Sequence, residues 1–162
     1  MVPGVIALVP QVRQARPEES RLLTELTVRS KAYWGYDHAF LESARQDLEF
    51  HASKFLPDFH VYILEAEEEP LGYCSLICVD NNTVELHDLF IEPHYIRKGY
   101  GKQLWNYAVN LARSLGFSRL VLTADPNAEP FYTRQGAVRI GEKTSPVGSD
   151  RRLPVMEYVF IA

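Results

Sequence analysis

Cysteine is nearly absent from this chain. Only Cys74 and Cys78 occur among 162 residues, both within one strand-like run. Their spacing leaves them too far apart along a single strand to bridge each other. A disulfide-stapled secreted scaffold is thereby excluded, and the two thiols read as buried and reduced, as in a cytoplasmic protein. Long apolar runs are missing as well: nothing approaches the ~18 residues of a membrane span. Basic excess is also lacking, since a net charge of −4 argues against a nucleic-acid binder that must neutralise phosphates with a cationic face. Residues 1–10 are apolar but interrupted by Pro3, Gly4 and Pro10 and carry no basic leader. They read as an N-terminal extension or edge segment, not a signal peptide. His38, His51, His60 and His94 show no ligand spacing, and no metal is expected.

What is present suffices for one domain spanning 1–162 with its own hydrophobic core. A first strand is expected at Val12–Ala15. A helix opens at Arg16-Pro17-Glu18-Glu19-Ser20, where proline and acidic residues suit a first turn, with Leu22, Leu23 and Leu26 along one face. It runs into the aromatic patch Tyr33-Trp34-Gly35-Tyr36. Asp37 is a candidate N-cap for a second helix bearing Phe40, Leu41, Ala44, Leu48 and Phe55 and ending at Pro57-Asp58. Strands follow at Phe59–Ala66 and Leu71–Val79, joined by the acidic turn Glu67-Glu68-Glu69, and a third begins at Thr83. A helix after Gly101 keeps Leu104, Ala108, Leu111 and Leu115 in register and stops at Gly116. Leu120–Thr123 is a strand, Ala128–Gln135 a short helix closed by Gly136, and Val138–Ile140 and Leu153–Phe160 the last two strands, separated by a polar loop from Gly141 to Pro154. The order β-α-α-β-β-β-α-β-α-β-β describes an α/β sheet of mixed direction with at least one crossover helix.

One stretch organises the rest. From Val84 to Leu115 a strand passes through Pro93 into a basic loop with two glycines and then a helix. The first N–H groups of a helix have no internal acceptor and form a ready anion site. Gly99 and Gly101 allow close approach to the backbone, and Arg97, Lys98 and Lys102 add charge, so a phosphorylated cofactor is expected. It is not a nucleoside triphosphate in a P-loop: Gln103 follows Gly101-Lys102 where a hydroxyl is required, and the earlier glycine is absent. Nor is it a dinucleotide on G-x-G-x-x-G, because Leu104 stands at the third glycine.

The run Leu86-His87-Asp88-Leu89-Phe90-Ile91-Glu92-Pro93, with Arg97-Lys98-Gly99-Tyr100-Gly101-Lys102-Gln103-Leu104, resembles the acetyl-CoA motif of the GNAT N-acetyltransferases. Ala124 to Ala137, containing Phe131-Tyr132-Thr133-Arg134-Gln135-Gly136, resembles the family's second signature, and Val12–Glu19 its first strand and helix start. One departure is Ile96, where the family usually has Gln or Arg. The resemblance implies a mostly antiparallel mixed sheet of about seven strands flanked by about four helices, splayed between strands 4 and 5. It implies transfer of an acetyl group from acetyl-CoA to a primary amine of a small molecule or peptide by direct attack in a ternary complex. Two rival readings stay open: a non-catalytic acyl-CoA sensor, and a protein lysine or N-terminal acetyltransferase.

On this reading the CoA pyrophosphate sits on the N–H groups of Arg97, Lys98, Gly99, Tyr100, Gly101 and Lys102. The backbone of Leu89, Phe90 and Ile91 receives the pantetheine arm and polarises the thioester carbonyl, and Asn127 and Phe131 complete the cofactor contacts. Asn127 is equally readable as a helix N-cap. An amine attacks only when neutral, so a base is required. Glu85 and His87, two apart on a strand, point the same way, and Glu85 is the expected base with His87 as partner or relay, the reverse remaining open. Asp88 falls on the opposite face. Tyr132 stands at the family's general-acid position for the leaving thiolate, against the plainer reading of a buried tyrosine. Tyr33, Trp34, Tyr36 and Phe40 lie where the acceptor pocket is walled, either suiting a cationic amine through their ring faces or serving as plain core. Arg151 and Arg152 equally suit an acidic substrate. No nucleic acid or membrane partner is expected; a homodimer is compatible with the chain.

Overall fold

A computed structural model describes residues 9–48, 59–145 and 151–160, with the side chains of 46–48 set aside. The strands are β1 (Gln11–Gln14), β2 (Phe59–Ala66), β3 (Glu69–Cys78), β4 (Thr83–Ile91), β5 (Arg119–Thr123), β6 (Val138–Thr144) and β7 (Arg152–Val159). The helices are α1 (Ser20–Ala32), α2 (His38–Leu48), α3 (Tyr100–Ser114) and α4 (Glu129–Arg134). The strands form one seven-stranded sheet in the order β1-β2-β3-β4-β5-β7-β6. Only β4 and β5 run parallel, and α3 supplies the crossover between them. The expected element order is thus borne out, and the fold is the expected mixed, mostly antiparallel α/β sheet. The loop expected from Gly141 to Pro154 is shorter, because β6 continues to Thr144 and β7 starts at Arg152. Asp37 does open α2: its Oδ1 accepts from the Phe40 N–H at 2.7 Å. The expected continuation to Phe55 and Pro57 lies outside the described residues.

Two cores lie on the two faces of the sheet. Leu104, Trp105, Ala108, Val109 and Ala112 of α3 pack with Cys74, Leu76, Val84, Leu86, Leu120, Leu122 and Met156. On the other face, Leu23 and Leu26 of α1 meet Val61, Ile63 and Tyr73. Tyr73 is fully buried, and its hydroxyl lies 2.6 Å from Thr27 Oγ1, which also donates to the Leu23 carbonyl. A buried phenol needs such a partner to offset its lost hydration. The stop of α3 at Gly116 is a Schellman closure: Phe117 N–H returns to the Ala112 carbonyl and Gly116 N–H to Arg113, with Gly116 at φ 91°. The hairpin between β2 and β3 turns on Glu67 and Glu68, at φ 51° and 66°.

Strand β4 is not regular. Ser75 pairs with Asp88 but Leu76 pairs with Leu86, so His87 is an extra residue bulged out of the ladder. The bulge changes the parity of the strand. Val84 and Leu86 face α3, and so do Leu89 and Ile91, while Phe90 turns to the α1 face beside Tyr73. By alternation Asp88 shares the face of Glu85, which corrects the expectation that it lies opposite. There it accepts from Ser75 Oγ at 2.5 Å.

Candidate active site

The site lies where β4 and β5 part. Their pairing covers only Thr83–Leu86 against Arg119–Leu122, after which β5 stays with β7. Beyond Leu86 the β5-facing edge of β4 is therefore open, and a cleft of about 760 Å³ occupies the gap. One wall is His87, Leu89, Phe90 and Ile91; the other includes Thr123, Asp125, Asn127, Phe131 and Tyr132. The sheet has parted as the resemblance implied.

At one end of the cleft is the glycine loop. Arg97 at φ 66° and Gly99 at φ 88° are both left-handed, so the chain curls there and presents successive N–H groups to one concave side. Among the described residues, the N–H groups of 97–102 donate to no backbone carbonyl; the first such bond after the loop is Gln103 N–H to Gly99 at 3.1 Å. These orphan donors lie at the N-terminus of α3, with Arg97, Gly99, Gly101 and Lys102 lining the cleft. A Cβ on Gly101 would meet the Phe131 ring at 3.4 Å, so the missing side chain keeps this approach open. The donor set fits a pyrophosphate. Lys98 and Tyr100 do not line the cleft: Lys98 lies over the Tyr95 ring at 5.8 Å. Ile96, where the family motif has a polar residue, packs against the core.

Tyr132 sits deep in the cleft, 7% exposed, against Trp105 and Phe131. Among the described residues its hydroxyl has no hydrogen-bond partner, yet no fully buried polar side-chain atom is left unpaired, so the hydroxyl opens on the cleft. Burial pushes its phenol well above the ordinary value, and the charges of Asp88 and Asp125 add to the effect. It is therefore a protonated donor at any physiological pH.

His87 lines the cleft and Glu85 does not. The two meet behind the wall, His87 Nδ1 lying 3.3 Å from Glu85 Oε2, with the Phe59 ring edge-on to the imidazole at 5.6 Å. The bond to His87 holds the Glu85 carboxyl below its ordinary value against the opposing effect of burial, with Lys143 adding to the lowering.

The wall of the cleft around Asp125 holds a cluster that the sequence did not reveal. Asp125 caps the turn before α4, its Oδ1 accepting from Asn127 N–H at 2.8 Å; the N-cap is thus Asp125 and not Asn127. The same carboxylate takes Lys31 of α1, the Tyr36 hydroxyl at 3.0 Å and Arg151 Nη2 at 2.9 Å. Asn127 Nδ2 donates to the Tyr36 oxygen at 3.1 Å, and Arg151 Nη2 to the same oxygen at 2.6 Å. Burial pulls the Lys31 ammonium down, and the neighbouring Arg151 adds to this, only partly offset by Asp125. Burial pushes the Asp125 carboxyl up, but Lys31, the Asn127 N–H and Tyr36 outweigh it and hold it below the ordinary value. The two directions are compatible, because one anion has two cations while each cation has a share of one anion. Trp34 lines the cleft; Tyr33, edge-on to it at 5.3 Å, does not, and Tyr36 is stacked on Phe40 at 4.4 Å outside the lining. Lys31 and Asp125 are 94 positions apart and Arg151 and Tyr36 are 115 apart, which no local pattern signals.

Comparison with known proteins agrees with this geometry. The acetyltransferase (GNAT) family model matches residues 23–137. The chain is 33% identical over 128 residues to the peptidyl-lysine N-acetyltransferase YjaB of Salmonella typhimurium, covering 77% of this chain and 81% of that one. It is 28% identical over 123 residues to an uncharacterized N-acetyltransferase of Lactobacillus delbrueckii subsp. lactis, covering 70% of this chain and 71% of the relative. The fold matches that of the PaiA N-acetyltransferase of Thermoplasma acidophilum, solved with coenzyme A, at a TM-score of 0.74 and 22% identity over 94% of this chain and all of that one. With a parted parallel pair, an orphan N–H loop and a family match over most of its length, the chain belongs to the GNAT acetyltransferase family and is an N-acetyltransferase.

Proposed function

We propose that the protein transfers the acetyl group of acetyl-CoA to a primary amine of a small molecule or peptide, by direct attack within the cleft. One observation carries this reading: a single cleft joins the orphan N–H loop, the open edge of β4, His87 and the Tyr132 hydroxyl. Residues 97–102 hold the pyrophosphate by charge-assisted bonds at the helix terminus. The open edge of 89–91 takes the pantetheine arm as a partial extra strand, and an N–H there receives the negative charge that develops on the thioester oxygen. The amine nitrogen forms the C–N bond as the C–S bond breaks. Its proton passes to the His87–Glu85 pair, and the thiolate takes the Tyr132 proton.

The lining of the cleft favours His87 as the group that meets the amine, with Glu85 behind it as an anion that orients the ring and steadies its charged form. This reverses the assignment preferred from the sequence. Asn127 and Phe131 are kept as cofactor contacts, and Trp34 as an acceptor contact. Tyr33 and Tyr36 act through their neighbours, the first by supporting Trp34 and the second within the Asp125 cluster. The name of the YjaB relative supports including peptide lysines among the acceptors.

The test is thiol release from acetyl-CoA across a panel of amines, polyamines and lysine peptides. Acceptor-dependent release with a matching acetylated product is expected. Tight CoA binding without turnover on any member would overturn the proposal in favour of a sensor.

A further inference from the structure

The charges lining the cleft are unbalanced. Of the five cations lining the cleft, Arg97 and Lys102 belong to the glycine loop and Arg134 to α4, which leaves Lys31 and Arg151 beside Asp125. Among the described residues Asp125 is the one carboxylate lining the cleft, so this pair of cations shares a single anion in a protein whose net charge is −4. Neither cation is well hydrated: their side chains are 11% and 19% exposed. A half-compensated buried charge is costly, and a second anion would relieve it.

The donor geometry points the same way. Arg151 spends Nη2 on Asp125 and Tyr36, and its remaining contact, Nη1 to Ser145 Oγ at 3.4 Å, is long. Of the five guanidinium donors, Nε and most of Nη1 thus have no close acceptor among the described residues, and each can give a charge-assisted hydrogen bond to a carboxylate. The ring faces offer a cationic acceptor little. Lys31 Nζ and the Arg151 guanidinium each lie 5.1 Å from the Tyr36 centroid, and Arg151 also lies 5.3 Å from that of Phe40. The protein's own cations already occupy the Tyr36 and Phe40 faces that would have drawn a positively charged amine.

We propose that the acceptor amine carries a carboxylate, which Lys31 and Arg151 receive beside Asp125. This rests on the acetyl-transfer reading and adds the substrate class. The rival is a purely structural cluster that only ties α1, the turn before α4 and the start of β7 together.

The experiment compares acceptors identical except that a carboxylate is replaced by a carboxamide. One arm uses free amino acids and their amides, and the other uses short lysine peptides containing Glu or Gln. In at least one arm the carboxylate member should be favoured by about tenfold or more in kcat/KM, mainly through KM, as expected for one charge-assisted contact. Arg151→Met and Lys31→Met should collapse that ratio, and Arg151→Lys, which keeps the charge but loses the spread of guanidinium donors, should restore it only in part. Thermal melts establish that each variant is folded. Equal kcat/KM in both arms overturns the inference while leaving acetyl transfer intact. Independently of turnover, titration of the CoA-loaded protein with succinate should show saturable binding that succinamide lacks and Arg151→Met loses. Absence of that binding also overturns it, and presence of binding without any turnover would sink the acetyl-transfer reading alone.

Discussion

Tyr132 combines two properties that usually exclude each other: its ring is buried, yet its hydroxyl opens on the cleft without a hydrogen-bond partner among the described residues. The raised phenol is a poor base and a dependable donor, which suits a leaving thiolate whose own pKa is ~8.5. Tyr132→Phe should therefore lower kcat by roughly 10²-fold, the lower range for general acid catalysis, while the Kd for CoA moves little. Single-turnover kinetics beside calorimetry separates the two, and unchanged kcat would remove Tyr132 from the reaction. At the base, the sign of the Glu85 shift discriminates. Its carboxyl is held below the ordinary value, so it remains ionised throughout the neutral range and cannot give the rate a neutral limb. The acid limb of kcat/KM should therefore lie above the carboxyl range near ~4.3. Glu85→Gln should lower the rate most on the plateau and move the acid limb to lower pH, because the imidazolium loses the anion that stabilises it. A limb near the carboxyl range would return the base to Glu85.

At the scale of elements, the turn between β2 and β3 carries a cost. Glu67 and Glu68 both adopt left-handed backbone, the arrangement of a two-residue turn that Asn-Gly favours. L-residues other than Gly and Asn lose roughly 1–2 kcal/mol there. Replacing the pair by Asn-Gly should raise the urea midpoint, with a gain of about 1–2 kcal/mol and no change in acetyl transfer. Gly99 at φ 88° has open space around it, so Gly99→Ala meets no clash and suffers only the backbone penalty. It should weaken CoA binding by distorting the N–H loop, at about 1 kcal/mol of stability. Normal CoA affinity in that variant would count against the loop as the pyrophosphate site. These elements were legible beforehand because each rests on local signals: Gly116 as a helix stop, Asp37 as a cap, alternating apolar residues in β2. The bulge in β4 was not, since nothing near His87 announces an extra residue, and the placement of Asp88 failed with it.

Across the whole molecule, the sequence carried the order of elements and the glycine loop before α3, but the wall around Asp125 depended on contacts between distant segments. Lys31, Tyr36, Asp125 and Arg151 come from α1, the turn after it, the segment following β5 and the residue before β7; periodicity cannot bring them together. Asp125 is the common partner, so Asp125→Asn should loosen all of these attachments. A loss of roughly 2–4 kcal/mol is expected at pH 7, somewhat below that of a fully buried pair because the cleft admits water. The Asp125 carboxyl lies below its ordinary value in the fold. Its stabilisation is therefore complete above an unfolded value of ~3.9 and is lost as pH falls through the lowered one. Denaturation curves of the two proteins should accordingly converge only below about pH 4. A gap that persists unchanged at pH 3 would assign the loss to packing instead of charge.

The bulge at His87 also bears on how freely the site can be altered. A residue in regular ladder belongs to one face of the sheet and is bound by the packing there. His87 stands at the phase change, between Val84 and Leu86 before it and Leu89 and Ile91 after it, outside the β3–β4 register. Its side chain borders the cleft and the Phe59 ring and belongs to neither core. Exchange of the side chain at this position should therefore disturb the two cores less than exchange at a regular ladder position, which a thermal melt of His87→Gln beside Leu86→Ala would check.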